Sequence, residues 1–213
     1  MQITIFPLLE DCSSFQLNYP TEFSTAIHLE ERDSTVKIGS GQLLLKECWF
    51  EGACLLSSVV NAGQHCNVKI QCDNFCWITN FVLEGALKTL SRPDQVSLGL
   101  EAGHYHTFYC SVLDMDLVIE QHTRIFTICL TQRFIRQFLG DNILPEQIEG
   151  NESELFFWVT KDDYRYNRFR SLIKEMLDAK QPAYIRRLRV PSSATRDQGC
   201  RAAPFTAPRS DSG

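Results

Sequence analysis

His104 and His106 stand one residue apart in GHYHTFYC, a segment whose aromatic and hydroxyl residues favour extended chain. On a strand, residues i and i+2 project to the same side, so two imidazoles at this spacing can share one cation. His122 follows in the next apolar stretch. A turn symmetric about Leu113 would set His122 opposite His104 and put three imidazoles on one face. A two-residue turn would send it to the other face, and the residues leave that register open. Other chemistry has less to stand on. There is no GxSxG, no HExxH and no glycine-rich phosphate loop. Gly39 and Gly41 are too close together for a dinucleotide fingerprint. Asp114 and Asp116 flank Met115 in an expected turn, where carboxylates serve the backbone. Cys66, Cys72 and Cys76 lack the paired CxxC spacing of a zinc site. No catalytic residue, resident metal or cofactor is therefore assigned. The remaining chemistry is recognition. With 14 Phe, 6 Tyr and 3 Trp, much of the aromatic load falls on expected strands. Aromatic walls with a few polar groups make small-molecule sites, so Trp77, Phe81, His104, His106 and Tyr109 are the ligand-binding candidates.

These residues need a β scaffold. Residues 99–131 carry β-branched and aromatic runs separated by short polar or glycine breaks, which predict antiparallel hairpins. Upstream, QLLLKECWF, ACLLSSVVN, CNVKIQC and FCWITNFVL are further strands punctuated by Gly52, Gly63 and Gly85. In the last of them Phe75, Trp77, Phe81 and Leu83 form the greasier set, predicted to face inward. Five- to nine-residue strands at regular spacing suggest a sandwich or barrel. After Thr131 the period changes: Phe134, Ile135 and Phe138 share a helical face, and Gly140 stops the helix. The apolar LFFWV at 155–159 must be covered. Residues 164–180 place Phe169, Leu172, Ile173, Met176 and Leu177 along one side of an amphipathic helix. That side packs on its own barrel or on a second copy. The expected organisation is an N-terminal arm or edge hairpin (1–40), a barrel with C-terminal helices (41–180) and a disordered basic tail (181–213).

Composition narrows the classes. The chain has 213 residues, 44% of them apolar and 22% charged, enough for a core without disulfides or metals. Residues 1–180 hold 15 Lys and Arg against 24 Asp and Glu, net −9, while the last 33 residues are net +4. An acidic body argues against phosphate-backbone binding, which needs a cationic face. The nine cysteines are odd in number and several lie in apolar strands, as core fillers in a reducing compartment do. The N-terminus has no basic n-region, and no apolar run reaches the ~20 residues of a membrane span, so a cytoplasmic protein with no membrane contact is expected.

Taken in order, QLLLKECWFEGACLLSSVVNAG, a strand ending LEGAL, LEAGHYHTFY and FTICLTQRFIRQFL form a pattern that resembles the N-terminal regulatory half of AraC-type bacterial transcription regulators. The likeness covers roughly residues 40–185. The family's usual Ala-Gly-Gln-His-Asn stands against Ala102 to His106, ahead of the aromatic pair Phe108 and Tyr109. The resemblance implies a mainly β, cupin-like antiparallel barrel followed by two amphipathic helices. It implies a non-enzymatic sensor and dimerisation domain for a small effector. The pairing face would be Phe169, Leu172, Ile173 and Met176, in a homodimer. The family reads DNA through two helix-turn-helix motifs that this sequence does not show, so no direct operator contact is expected and a truncated copy is one reading. A remnant without activity is another. The other-class alternative is a cupin-type metalloenzyme on His104, His106 and possibly His122. Metal-dependent cupins share only the HxH, and their glutamate after the second histidine has no counterpart here.

Overall fold

The computed structural model describes residues 2–6, 15–25, 29–38, 41–50, 52–61, 66–72, 76–91, 97–110, 113–139 and 158–160. The helix expected over 164–180, its pairing residues and the tail from 181 lie outside them. The chain opens with β1 (Gln2–Phe6), β2 (Phe15–Asn18) and a single 3-10 turn (Thr21–Phe23). Three long neighbours follow: β3 (Glu30–Ile38), β4 (Gly41–Phe50) and β5 (Ala53–Asn61). Next come β6 (Cys66–Cys72), β7 (Cys76–Glu84), β8 (Ala86–Ser91) and β9 (Ser97–Glu101). The last group is β10 (Tyr105–Cys110), β11 (Leu113–Ile119), β12 (Thr123–Thr131), α1 (Gln132–Leu139) and β13 (Trp158–Thr160).

The strands make two antiparallel sheets. One has the order β2-β1-β6-β11-β8-β9, the other β13-β10-β7-β12-β5-β4-β3. Between them lies an apolar core drawn from both, including Leu17, Ile70, Met115 and Leu117 on one side and Leu43, Leu45, Ile78 and Ile125 on the other. A second cluster, with Phe50, Phe81, Phe126, Leu130, Phe134 and Ile135, occupies the opposite face of the seven-stranded sheet. β12 sits in the middle of that sheet and is buried on both faces. This is why its sequence reads as a nearly continuous run of apolar residues and threonine rather than a polar–apolar alternation. Thr131 Oγ1 accepts the Phe134 N–H and so caps α1, whose Phe134 and Ile135 are buried.

Two expectations change. The segment 99–131 is not a stack of hairpins. β10 pairs with β7 and β13, β11 with β6 and β8, and β12 with β5 and β7. Each of the three crosses to the other sheet, as in double-sheet jelly rolls. Short polar breaks fix where the chain bends, but burial of both sheet faces decides which edge the next strand joins. The inward set of β7 is also reversed: Ile78 and Val82 enter the core between the sheets, while Phe81 and Leu83 belong to the outer cluster. Both faces of this strand are covered, so the bulkier set had no need to be the inner one.

The first 38 residues contribute β1 and β2 to one sheet and β3 to the other. In β3 the charged run is an edge strand: Glu31, Asp33 and Lys37 are exposed while Val36 is buried. Charges on an edge discourage pairing with foreign strands.

Candidate functional site

The sheet register puts one polar row across the inner face. Arg32 stands opposite Glu47, Glu47 opposite Leu56, Leu56 opposite Thr127, Thr127 opposite Asn80, and Asn80 opposite His106. Residues that share such a row face the same way, because side chains alternate along each strand. The row therefore lays six side chains from six strands against the core, and five of them are polar.

At one end, Thr127 Oγ1 donates to Asn80 Oδ1 at 2.6 Å, and Asn80 Nδ2 lies 2.8 Å from His106 Nε2. An amide offers one acceptor and one donor group. With the Asn80 oxygen accepting from Thr127, its nitrogen must donate, so His106 Nε2 accepts and the ring proton sits on Nδ1. Asn80 and His106 are fully buried. Burial lowers the His106 pKa to about 3, so the imidazole is neutral at physiological pH. A group held that far from neutrality is poorly matched to general acid–base work. It is suited to fixed hydrogen bonding.

At the other end, the Glu47 carboxylate accepts from Arg32 Nε at 2.5 Å, from Arg32 NH2 at 3.0 Å and from the Tyr19 hydroxyl. The hydrogen bond to Glu47 raises the Arg32 pKa, and burial raises that of the Tyr19 phenol. The Arg32 guanidinium carbon lies 5.2 Å from the Tyr19 ring centre and 5.3 Å from that of Trp49. The two rings meet edge to face at 5.8 Å and 89°.

Between the sheets is a cavity of about 30 Å³, lined by aliphatic side chains of both sheets with Ser58 and Thr127 as its polar members. A water needs roughly 10–15 Å³ of such space, so the cavity suits about two waters. A typical ligand pocket is on the order of 300–1,000 Å³. Thr127 is both a wall of this cavity and the first link to His106.

The four ligand-binding candidates with described side chains, Trp77, Phe81, His104 and His106, are not gathered into one pocket. His106 is on the inner face. His104 precedes β10, is half-buried, and its Nδ1 lies 3.1 Å from the Glu101 carbonyl oxygen. His122 is exposed in the turn before β12 at φ 54°, so neither register weighed for a β10–β11 hairpin applies. Among the described residues no group of three or more His, Cys, Asp or Glu stands together as a metal set. Trp77 and Phe81 belong to the outer cluster: Trp77 Nε1 donates to Thr79 Oγ1 at 3.1 Å, and Phe81 stacks on Tyr105 at 5.1 Å. Tyr109 is placed opposite Trp77 by the register. Sequence reasoning missed Asn80, Thr127, Glu47, Arg32 and Tyr19. A signal existed for two of them: Asn80 interrupts CWITNFVL and Glu47 interrupts LLLKECWF, and a polar residue amid an apolar strand must find a partner if buried.

No protein-family model matches the chain, and no curated protein matches it. Solved structures similar to it include the AraC-like transcriptional activator CuxR, at 11% identity and a TM-score of 0.48, over 87% of this chain and 65% of that one. The bacterial pirin YhhW of Escherichia coli, in complex with nickel(II), is similar at 12% identity and a TM-score of 0.42, over 62% and 58%. ToxT of Vibrio cholerae O395 is similar at 10% identity and a TM-score of 0.39, over 74% and 59%. The chain thus spans less than two thirds of each of these three. At such identities and TM-scores they do not define a family for it. What the fold itself defines is a mainly β protein of two facing antiparallel sheets. No helix among the described residues is long and apolar enough to cross a membrane.

Proposed function

We propose that this chain is the regulatory sensor domain of an AraC-type transcription regulator, one that takes a small effector between its sheets and pairs with a second copy of itself. The observation that carries the reading is the Thr127–Asn80–His106 chain: a hydrogen-bonded polar line inside an aliphatic shell, with Thr127 on the wall of the central cavity. Such a line gives a guest a few fixed hydrogen-bonding groups amid apolar contacts, the composition of a small-molecule site. The sequence resemblance over residues 40–185 supports the same reading.

The cavity is smaller than an effector, so binding on this reading enlarges it. A ligand that favours an expanded shell over the closed one shifts the balance between them, and that shift is what a sensor transmits. Pairing is assigned to the amphipathic face of Phe169, Leu172, Ile173 and Met176, on sequence periodicity. DNA contact belongs on this reading to a helix-turn-helix domain, and none is assigned to the described residues. The metalloenzyme alternative gains no observation in its favour, since Asn80 occupies His106 Nε2 and His104 turns to its own loop.

The test is a thermal-shift screen of the purified chain against a library of small metabolites. A compound that raises the melting temperature saturably, and loses affinity in Thr127→Val, supports the reading. A library without such a compound contradicts it.

A further inference from the structure

The opposite end of the polar row has a different character. Glu47 is a carboxylate with a side chain 0% exposed, and its oxygens are claimed by a guanidinium and a phenol. The guanidinium rests in the corner of two perpendicular rings, Tyr19 and Trp49, with Phe23 edge-on to Tyr19 at 5.7 Å. Aromatic faces around a buried carboxylate are the chemistry that recognises organic cations. Here the cation is the chain's own. Arg32 is reachable where Tyr19, Phe23 and Glu47 are buried: its side chain is 34% exposed, it comes from β3, the terminal strand of its sheet, and the half-buried Trp49 lies beside it. The cage floor is therefore built into the core while its occupant is tethered at the rim.

The geometry points to a cation site in which Tyr19, Trp49 and Glu47 form a receptor for a small alkylguanidinium ligand, with Arg32 as a displaceable internal occupant. A guanidinium rather than a quaternary ammonium fits, because Glu47 takes two N–H donors from one planar fork. An incoming ligand must compete with a tethered group held at high effective concentration, so the intact chain binds weakly and removal of Arg32 strengthens binding. This site stands at the far end of the row from His106 and does not depend on a guest between the sheets.

The experiment is an NMR titration of the whole chain with methylguanidinium, followed at the Trp49 indole N–H, a buried group with no hydrogen-bond partner among the described residues. The wild-type chain should show a saturable shift, and Arg32→Ala should bind at least tenfold more tightly. Adding Glu47→Gln to Arg32→Ala should weaken binding at least tenfold. Tetramethylammonium, which lacks N–H donors, should bind at least tenfold more weakly than methylguanidinium to Arg32→Ala. If Arg32→Ala does not fold, Arg32→Gln replaces it, keeping a neutral donor for Glu47, with the same order expected. A wild-type chain whose Trp49 signal never saturates, or an Arg32 variant that binds no tighter than wild type, overturns the site.

Discussion

Thr127 and His106 never meet, yet a single side chain, Asn80, joins them across three strands. Thr127 Oγ1 donates to its oxygen and its nitrogen donates to His106 Nε2. The direction of the chain is fixed by the amide, which makes His106 an acceptor at Nε2 and leaves no place there for a second proton.

The first consequence concerns pH. Burial holds the His106 pKa at about 3 in the folded chain against 6.5 as its ordinary value. Between these limits the unfolded chain binds the proton and the folded chain does not. The histidine's contribution is therefore complete above about pH 6.5 and declines by about 1.4 kcal/mol per unit as pH falls toward 3. Urea unfolding of wild type and His106→Gln should show a stability difference that narrows by about 2 kcal/mol between pH 7 and pH 5. A difference that stays constant with pH would place the proton elsewhere.

Breaking the middle of the chain should be costlier than trimming its end. Asn80→Ala strands buried polar atoms on both neighbours, with an expected loss of about 1–3 kcal/mol, or several degrees in melting temperature. Thr127→Val removes one donor and keeps the shape, and should lose about 1 kcal/mol. Chemical denaturation of the two variants checks the order. Equal losses would mean that Asn80 is not the shared link.

Gly85 and Gly103 both hold positive φ, at 77° and 91°, but differ in surroundings. A Cβ at Gly85 would come within 2.4 Å of Thr123 Oγ1, while one at Gly103 meets nothing within 4 Å. Thr123 is fully buried and its Oγ1 donates to the Ala86 carbonyl, so it cannot easily give way. Gly103→Ala should lose about 1 kcal/mol of backbone strain, and Gly85→Ala about 3 kcal/mol or more. Similar melting temperatures for the two variants would contradict the close packing of β12 on the turn between β7 and β8.

On the proposed reading, the amphipathic pattern of residues 164–180 pairs two copies of the chain. Sedimentation should give a dimer for the whole chain and a monomer for the double variant Leu172→Glu and Met176→Glu. A monomeric wild type at high concentration would remove this part of the proposal.

Much of the scaffold was legible in the residues. The segments QLLLKECWF, ACLLSSVVN and CNVKIQC are strands within a residue of their expected ends, and the change of period at Thr131 marks α1. Strand existence is a local property of β-branched and aromatic runs. Pairing is not local. The stretch from Ser111 to Asp114 reads as a tight turn, yet Leu113 and Asp114 already belong to β11, and β10 and β11 enter different sheets. The site was harder to read for the same reason. His106 was visible as a residue type, but Asn80 lies 26 positions from it and Thr127 lies 47 positions from Asn80, and only the register brings the three together. The expected inward set of β7 failed because both faces of that strand are buried, so side-chain bulk carried no directional information.

The most direct test of the sensor reading is the Asn80 side-chain amide signal, followed by NMR while the best-stabilising compound from the thermal-shift screen is added. This signal should shift saturably, with the same midpoint as the rise in melting temperature, because Asn80 is hydrogen-bonded to the Thr127 that walls the cavity. An Asn80 signal unmoved at ligand saturation, with shifts confined to the outer cluster around Phe81 and Tyr105, would contradict it.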